Sequence, residues 1–337
     1  MLLTVRLIAW CCFAVPALAF AFDPDDNLRG PAACDPAKVL GSDSCVKCHK
    51  GEVEAWKKHP HNQTWETLHR KPEAKAIAQK MGETSIKRSK LCVNCHFTLQ
   101  GEDGHEKAIS GVSCESCHGG AKDWLQLHAD YGGPNVTKAQ ETPEHREYRR
   151  ENAIAKGMQN PVNIYLIARH CYSCHTVGGE ALVNKGGHKA GTDGFELVAW
   201  SQGRTRHNFL ASNGGANAVS PPERLRVMFV VGAMTDLEYT LRSVARATEK
   251  ATFGITSAKR AMMLKQRLTE IHAAVAIPEV ATALEALAAV KLKINNASDL
   301  TGAADAVGKA AQQFAEHANG KDLAALDALL PTPAQYK

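Results

Sequence analysis

The sequence predicts a mainly α protein built from two unlike parts: a cysteine-rich part with little regular secondary structure, followed by an antiparallel helical bundle. All 11 cysteines of the 337 residues lie before residue 175. Aromatic residues make up only 6% of the chain, which is little for a core made of side chains alone. After residue 220, apolar residues recur at helical spacing. The hydrophobic content of 44% and charged content of 22% exclude wholesale disorder.

Residues 1–21 predict a cleaved secretory signal. Arg6 precedes the apolar stretch 7–20, and Ala17 to Ala19 supply a small-x-small cleavage site. The stretch is shorter than the roughly 20 residues that a membrane span needs, although an uncleaved anchor helix is the alternative. The mean hydropathy of −0.27 excludes a multi-span membrane protein. We therefore expect export to an oxidising compartment, the periplasm, through a cleaved signal peptide.

Eight of the remaining cysteines form four C-x-x-C pairs, and a histidine follows each pair directly. In chain order the motifs are Cys45, Cys48 and His49; Cys92, Cys95 and His96; Cys114, Cys117 and His118; and Cys171, Cys174 and His175. Such a motif is typical of c-type haem attachment, in which two thiols bond to one porphyrin and the histidine ligates its iron. Disulfides or zinc sites are the alternatives, but they would leave the four trailing histidines unexplained.

The sequence therefore predicts four haem c groups, which we number 1 to 4 in chain order together with their sites. Four porphyrins would supply the apolar core that the aromatic content lacks. We place this tetrahaem domain at residues 22–215, where glycine-rich turns limit regular secondary structure. Cys34 lies outside the pattern and is predicted to be a surface thiol or a thiol linked to a partner.

Three segments resemble the cytochrome c-554 family of exported tetrahaem electron-transfer proteins. They are residues 45–61, which contain Trp56 and His61, residues 111–119 around the third motif, and residues 195–209, which end just after His207. The resemblance covers residues 41–210. It implies a second axial histidine for three of the haems.

The ligands that this resemblance implies are His128 for haem 1, His61 for haem 3 and His207 for haem 4. It also implies a five-coordinate haem 2, whose open face a small ligand such as NO could occupy. His69, His105 and Met81 are the alternatives that could close that face, and His59 is the rival to His61. His145, His170 and His188 are predicted to be surface residues, and His272 and His317 to have no part in ligation.

Electron transfer through four covalently bound haems is the function that these patterns favour. A reductase of small nitrogen oxides acting at haem 2 is the alternative, and a sensor or scaffold is a third. The chain has no C-x-x-C-K motif, which is typical of multihaem nitrite reductases, so the carrier is preferred to an enzyme. The expected partners are periplasmic redox proteins. The basic stretch from Lys71 to Lys90 is either a solvated helix face or a surface that attracts an acidic partner. The expected compartment excludes nucleic acid.

Residues 216–337 predict an α-helical bundle. The 118 residues from Ser220 contain 26 alanines and no cysteine or tryptophan. Four antiparallel helices follow from the spacing, with the first running from Pro222 to about Lys250. Breaks are expected near Phe253, Pro278 and Asn295, and Ser298 is the expected N-cap of the last helix. Packing against the haem domain, homo-oligomerisation and partner docking are the alternative roles of this bundle.

Overall fold

The computed structural model describes residue 32 and residues 34–102 and 104–337; the predicted signal peptide lies outside this range. The first part of the described chain consists of short helices joined by turns. They are α1 (Asp43–Val46), α2 (Lys50–Lys57), α3 (Pro60–Thr67), α4 (Pro72–Lys80) and α5 (Lys90–His96). Proline stands at the start of α3 and α4, where its fixed φ suits a first helical turn and its missing N–H costs nothing.

A two-stranded antiparallel hairpin follows, formed by β1 (Phe97–Gln100) and β2 (Lys107–Gly111). Its end meets the backbone of α3, because the amide of Val112 donates to the carbonyl of His61 at 3.1 Å. Gly111 makes this approach possible: a Cβ there would lie 2.5 Å from the His61 carbonyl oxygen. The hairpin therefore fixes the start of α3, which carries His61.

Six further helices complete the cysteine-rich part. They are α6 (Cys114–His118), α7 (Leu125–Ala129), α8 (Pro143–Ala155), α9 (Tyr165–His175), α10 (Glu180–Asn184) and α11 (Leu197–Ser201). The buried carboxylate of Glu115 accepts hydrogen bonds from the amides of Leu40, Gly41 and Ala121 at 2.7–2.9 Å. It thereby ties the segment before α1 to the third motif, which satisfies a charge that would be costly to bury alone.

Four longer helices form the bundle: α12 (Pro222–Arg246), α13 (Thr252–Ala274), α14 (Pro278–Ala288) and α15 (Ala297–His317). A 3₁₀ segment, Lys321–Leu329, follows them. The mainly α fold is thus confirmed. The expected N-cap at Ser298 is wrong, since α15 begins at Ala297 and Asn296 holds the cap position.

Helix α12 is buried on nearly every face and links the bundle to the cysteine-rich part. Val230, Val231 and Leu237 have no exposed surface, and α12 contacts α9 and α11 as well as α13 and α15. Two buried carboxylates lie in this helix, and each has a partner. Asp236 binds Arg260 through two hydrogen bonds of 2.7 and 2.8 Å, and Glu238 binds Arg242 at 2.8 Å. One apolar core therefore runs from α9 into the bundle. The domain boundary near residue 215 stays a prediction.

Within the described residues, no helix combines the length and apolar character needed to cross a membrane.

Candidate haem-binding sites

Each of the four Cys-x-x-Cys-His motifs lies on a helical turn. α5 and α6 carry the second and third motifs, and α9 ends with the fourth. The first begins in α1 and ends in the turn before α2, but the amide of His49 still donates to the carbonyl of Cys45 at 2.9 Å, as in a helix. Residues at i, i+3 and i+4 share one face of a helix. Both thiols and the imidazole of each motif can therefore meet one porphyrin.

Opposite each motif histidine, the structure places the ring of a second histidine. The ring centroids are 6.1 Å apart for His49 and His128, 6.3 Å for His96 and His188, 6.2 Å for His118 and His207, and 6.0 Å for His61 and His175. Two imidazoles on opposite sides of one metal ion, each with a metal–nitrogen distance of about 2 Å, have centroids about 6 Å apart. All four separations fit an iron between the rings.

The described residues contain no group of three or more His, Cys, Asp or Glu side chains that could hold a metal ion by themselves. The imidazoles are arranged in pairs, as expected for an iron whose other four ligands come from a porphyrin. The second histidines come from α3 (His61), from α7 (His128) and from the loops after α10 (His188) and α11 (His207).

Hydrogen bonds at Nδ1 orient four of these eight rings. His118 bonds to the carbonyl of Gln159 at 3.2 Å and His175 to the hydroxyl of Thr192 at 2.8 Å. The Nδ1 atoms of His188 and His207 lie 2.9 and 2.7 Å from the backbone carbonyls of Lys189 and Thr205. Metal-bound histidines commonly use one nitrogen in this way, which fixes the tautomer and directs Nε2 to the metal.

Burial keeps five of the rings neutral at ordinary pH. It lowers the pKa of His61, His96, His118 and His128 to about 4 and that of His175 to about 3. A neutral imidazole has the lone pair that a metal requires, whereas the protonated form does not. The histidine pairs therefore have the chemistry as well as the spacing of axial ligands.

A buried ion pair supports the second histidine of site 1. The guanidinium of Arg149 in α8 donates to the backbone carbonyl of His128 at 2.7 Å and binds both oxygens of Glu141 at 2.7 and 2.8 Å. The Glu141 side chain has no exposed surface. Its hydrogen bond with Arg149 lowers its pKa to about 2. Sequence reasoning did not identify this pair, because nothing in the order of residues marks Glu141 as buried.

Two predicted pairings are not those of the structure. His61 was expected opposite His118 and His207 opposite His175, but the structure places His61 at His175 and His207 at His118. These two pairings were what the family resemblance implied. The contact between Val112 and the His61 backbone instead turns α3 towards the fourth motif. His49 and His128 lie together as predicted.

The expectation of an open site 2 also differs from the structure. His188, expected at the surface, is half-buried with its ring 6.3 Å from that of His96. Among the described ring contacts, neither His69 nor His105 faces a motif histidine. No signal in the sequence marked His188, since two glycines and no recognisable helix precede it.

His59, the rival to His61, has a different role. Its Nδ1 accepts a hydrogen bond from the amide of His61 at 3.1 Å, so it caps α3. Its ring stacks on Trp56 at 4.7 Å. Trp56 also contacts the rings of His61 and His207, at 5.7 and 5.4 Å. One indole therefore lies between the second histidines of sites 3 and 4.

The cysteines keep the arrangement that attachment needs. No disulfide joins any two of the nine cysteines in the described chain. The thiols of Cys45 and Cys114, from the first and third motifs, lie next to each other, which places sites 1 and 3 side by side.

Comparison with known proteins agrees with these sites. The family model described as "Cytochrome c554 and c-prime" matches residues 44–119, which hold the first three motifs. A protein named cytochrome c-554, from Nitrosomonas europaea, is 27% identical over 172 residues, covering 49% of this chain and 66% of that protein. The chain thus spans just under two thirds of this relative's length. No solved structure matches the chain.

Proposed function

We propose that this chain, whose N-terminal part belongs to the cytochrome c-554 family, carries electrons through four covalently bound c-type haems. Membership of a c-type cytochrome family implies haem attached through cysteine. Four histidine pairs support the number of four haems. Each pair has one member from a Cys-x-x-Cys-His motif, and its two ring centroids are 6.0–6.3 Å apart.

Bound haem supplies an iron that takes up and releases single electrons. The chain's own histidine pairs would hold that iron between two imidazoles, which would leave no ligand position for a substrate. The rings of His61, Trp56 and His59 pack together beside sites 3 and 4, which would limit the access of water to the haems there. Two axial histidines favour a lower reduction potential than a histidine and a methionine do.

The four sites adjoin one another in the order 1, 3, 4, 2. The pKa of His118 is lowered by burial, then by the nearby His207, His49 and His128, so site 3 borders site 1. Trp56 bridges His207 of site 3 and His61 of site 4. The hydroxyl of Thr64 in α3, the helix that carries His61, donates to the backbone carbonyl of His96 at 2.7 Å, so site 2 borders site 4. This order supports relay from one haem to the next.

The proposed relay works outside the cytoplasm. Residues 1–21 support export as a signal peptide, and covalent attachment would retain the haems there. Three exposed lysines lie in the basic stretch before the second motif: Lys71 just before α4, and Lys75 and Lys80 in it. They support an acidic periplasmic redox protein as the partner at site 2.

Intact-mass measurement of the exported protein tests the proposal. We expect a mass that includes four haems and lacks the signal peptide. Replacing Cys114 and Cys117 by alanine should remove one haem, whereas the control Cys34→Ser should retain all four. A mass with fewer than four haems in the unaltered protein would contradict the tetrahaem assignment.

The alternative function, reduction of a small nitrogen oxide, needs an iron with an open position. Site 2 was the candidate, and the approach of His188 to His96 favours the carrier instead.

A further inference from the structure

The second site differs from sites 1 and 4 in where its second histidine comes from. His128 and His61 belong to segments that pack within the cysteine-rich part, whereas His207 follows α11, which contacts the bundle helix α12. His188 follows α10, a helix of five residues that packs against the bundle helix α13. We infer that His188 is the second axial ligand of haem 2 and that the bundle holds it there. This inference rests on the proposed function, because it requires a haem at site 2.

The loop that carries His188 has one well-defined shape. The amides of Gly186, Gly187 and His188 donate to the carbonyls of Ala181, Val183 and Leu182 at 3.0–3.1 Å. Gly187 has φ of +79°, the left-handed conformation that commonly ends a helix. The chain therefore turns sharply after α10, and its turn delivers His188 to the ring of His96.

Gly186 allows this loop to lie close to its neighbours. A Cβ at residue 186 would be 2.5 Å from the Leu182 carbonyl oxygen and 3.1 Å from the sulfur of Met81. Met81, at the end of α4, was one of the side chains that could have closed site 2. In the structure it instead packs beside Gly186 and so borders the loop.

Two polar side chains of α10, Glu180 and Asn184, attach this helix to the bundle. The carboxylate of Glu180 accepts from the Thr248 amide at 3.0 Å and from its hydroxyl at 2.7 Å. The amide group of Asn184 donates to Glu249 at 2.7 Å and accepts from the backbone of Phe253 at 2.9 Å. Both ends of α10 are thereby attached to the turn between α12 and α13.

An apolar contact completes the attachment. Val183 packs with Ala247 and Phe253, and Phe253 has no exposed surface. A helix of five residues has almost no stability of its own in water. The position of α10, and with it the position of His188, therefore depends on the bundle.

The unaltered protein gives the first test, by electron paramagnetic resonance of its oxidised form with the haem number known from the mass. We expect four low-spin haems. Four haems of which one is high-spin would overturn the inference and leave the proposed function intact, whereas fewer than four haems would overturn the proposed function itself.

The variant His188→Ala should convert one haem in four from low-spin to high-spin, and added imidazole should restore the low-spin signal by filling the vacated position. The matched control is His105→Ala, an exposed histidine, which should change nothing. An unchanged spectrum for His188→Ala, or conversion by His69→Ala instead, would show that His188 is not the ligand.

The role of the bundle is tested by replacing both Glu180 and Asn184 by alanine. We expect a high-spin fraction at haem 2 with all four haems still attached. The control replaces Gln266 and Glu270, which bond to each other on the exposed face of α13 at 3.0 Å, and should stay low-spin. A wholly low-spin spectrum for the Glu180 and Asn184 double variant would show that the bundle does not position His188.

Discussion

The cysteine-rich part and the bundle are both helical, but their helices are stabilised in different ways. The helices of the cysteine-rich part contain 4 to 13 residues, from α1 to α8. Those of the bundle contain 11 to 25, from α14 to α12. Short helices are marginal without tertiary packing, so the first part needs a core that its own side chains scarcely supply.

The apolar clusters show the same difference. Among the described residues, and outside its contacts with the bundle, the cysteine-rich part has two small clusters, around Val93 and around Trp124. The bundle buries Leu268, Ile271 and Leu300 completely in one continuous core. The comparison indicates that haem completes the core of the first part, whereas leucine, valine and alanine suffice for the second.

The largest expected effect comes from withholding haem from the whole chain. We expect the bundle helices α12, α13 and α15 to keep their protection against amide hydrogen exchange, since their core needs no cofactor. The segment from residue 40 to residue 160 should exchange rapidly, because its helices lose the porphyrins against which they pack. Mass spectrometry of proteolytic fragments measures both regions in one sample.

The haem-loaded protein is the control for this measurement, and it should be protected in both regions. Equal protection of residues 40–160 with and without haem would break the comparison, because side chains alone would then hold that part together.

A smaller effect is expected from Arg149→Ala, which leaves the buried carboxylate of Glu141 without its main partner. Unpairing a buried charge costs about 3–5 kcal/mol, and the loss should be local to α7 and α8. It is measured as the free energy of local opening of α8 by native-state hydrogen exchange. Arg146→Ala is the matched control, since Arg146 is 57% exposed and lies 3.8 Å from Glu141.

For the control we expect a loss of no more than about 1 kcal/mol, as for other exposed ion pairs. If Arg149→Ala cost no more than Arg146→Ala, the Glu141–Arg149 pair would not be what supports His128.

The bundle is tested separately by Leu300→Ala. Leu300 has no exposed surface, so truncation leaves a cavity and should lower the free energy of unfolding by about 2–5 kcal/mol. Guanidinium denaturation followed by far-ultraviolet circular dichroism measures this loss. The haem absorption spectrum in native buffer should stay unchanged. Met263→Ala is the control, because 70% of Met263 is exposed and its loss should cost under about 0.5 kcal/mol.

How much the sequence could predict also differs between the two parts. In the bundle, the spacing of Leu264, Leu268 and Ile271 predicted a helix, and the structure has α13 there. Pro278 predicted the start of the next helix, and α14 begins at this residue. Local patterns suffice there because helix formation and burial follow from residues three and four apart. The cap at Ser298 was wrong by two residues. The first helix ends at Arg246 instead of near Lys250, and the expected break at Phe253 lies inside α13.

In the cysteine-rich part, local patterns predicted the motifs but not their partners. The spacing of Cys114, Cys117 and His118 is a local property of one helical turn. Which histidine lies opposite depends on contacts between distant segments, such as Val112 with His61, and on the attachment of α10 to the bundle, which places His188. Such contacts leave no mark in the residues that surround a histidine.

The smallest expected effect tests the link between the two parts. The hydroxyl of Tyr165 in α9 donates to the buried carboxylate of Glu238 in α12 at 3.0 Å. Tyr165→Phe removes this bond without removing the ring, so we expect a loss of about 1.5–3 kcal/mol, as for a hydrogen bond to a charged group. Tyr148→Phe is the control, because Tyr148 is 61% exposed, and it should cost almost nothing.

A double-mutant cycle with Glu238→Gln separates this link from the other effects of each substitution. Glu238 also binds Arg242 at 2.8 Å, so its replacement alone disturbs the bundle, and only the coupling term reports on Tyr165. A coupling free energy near zero would mean that α9 and α12 are held together by apolar contacts such as those of Tyr172 with its neighbours. A clear coupling would mean that the helix carrying the fourth haem motif is tied to the bundle by a polar contact as well, so that the two parts share more than an apolar surface.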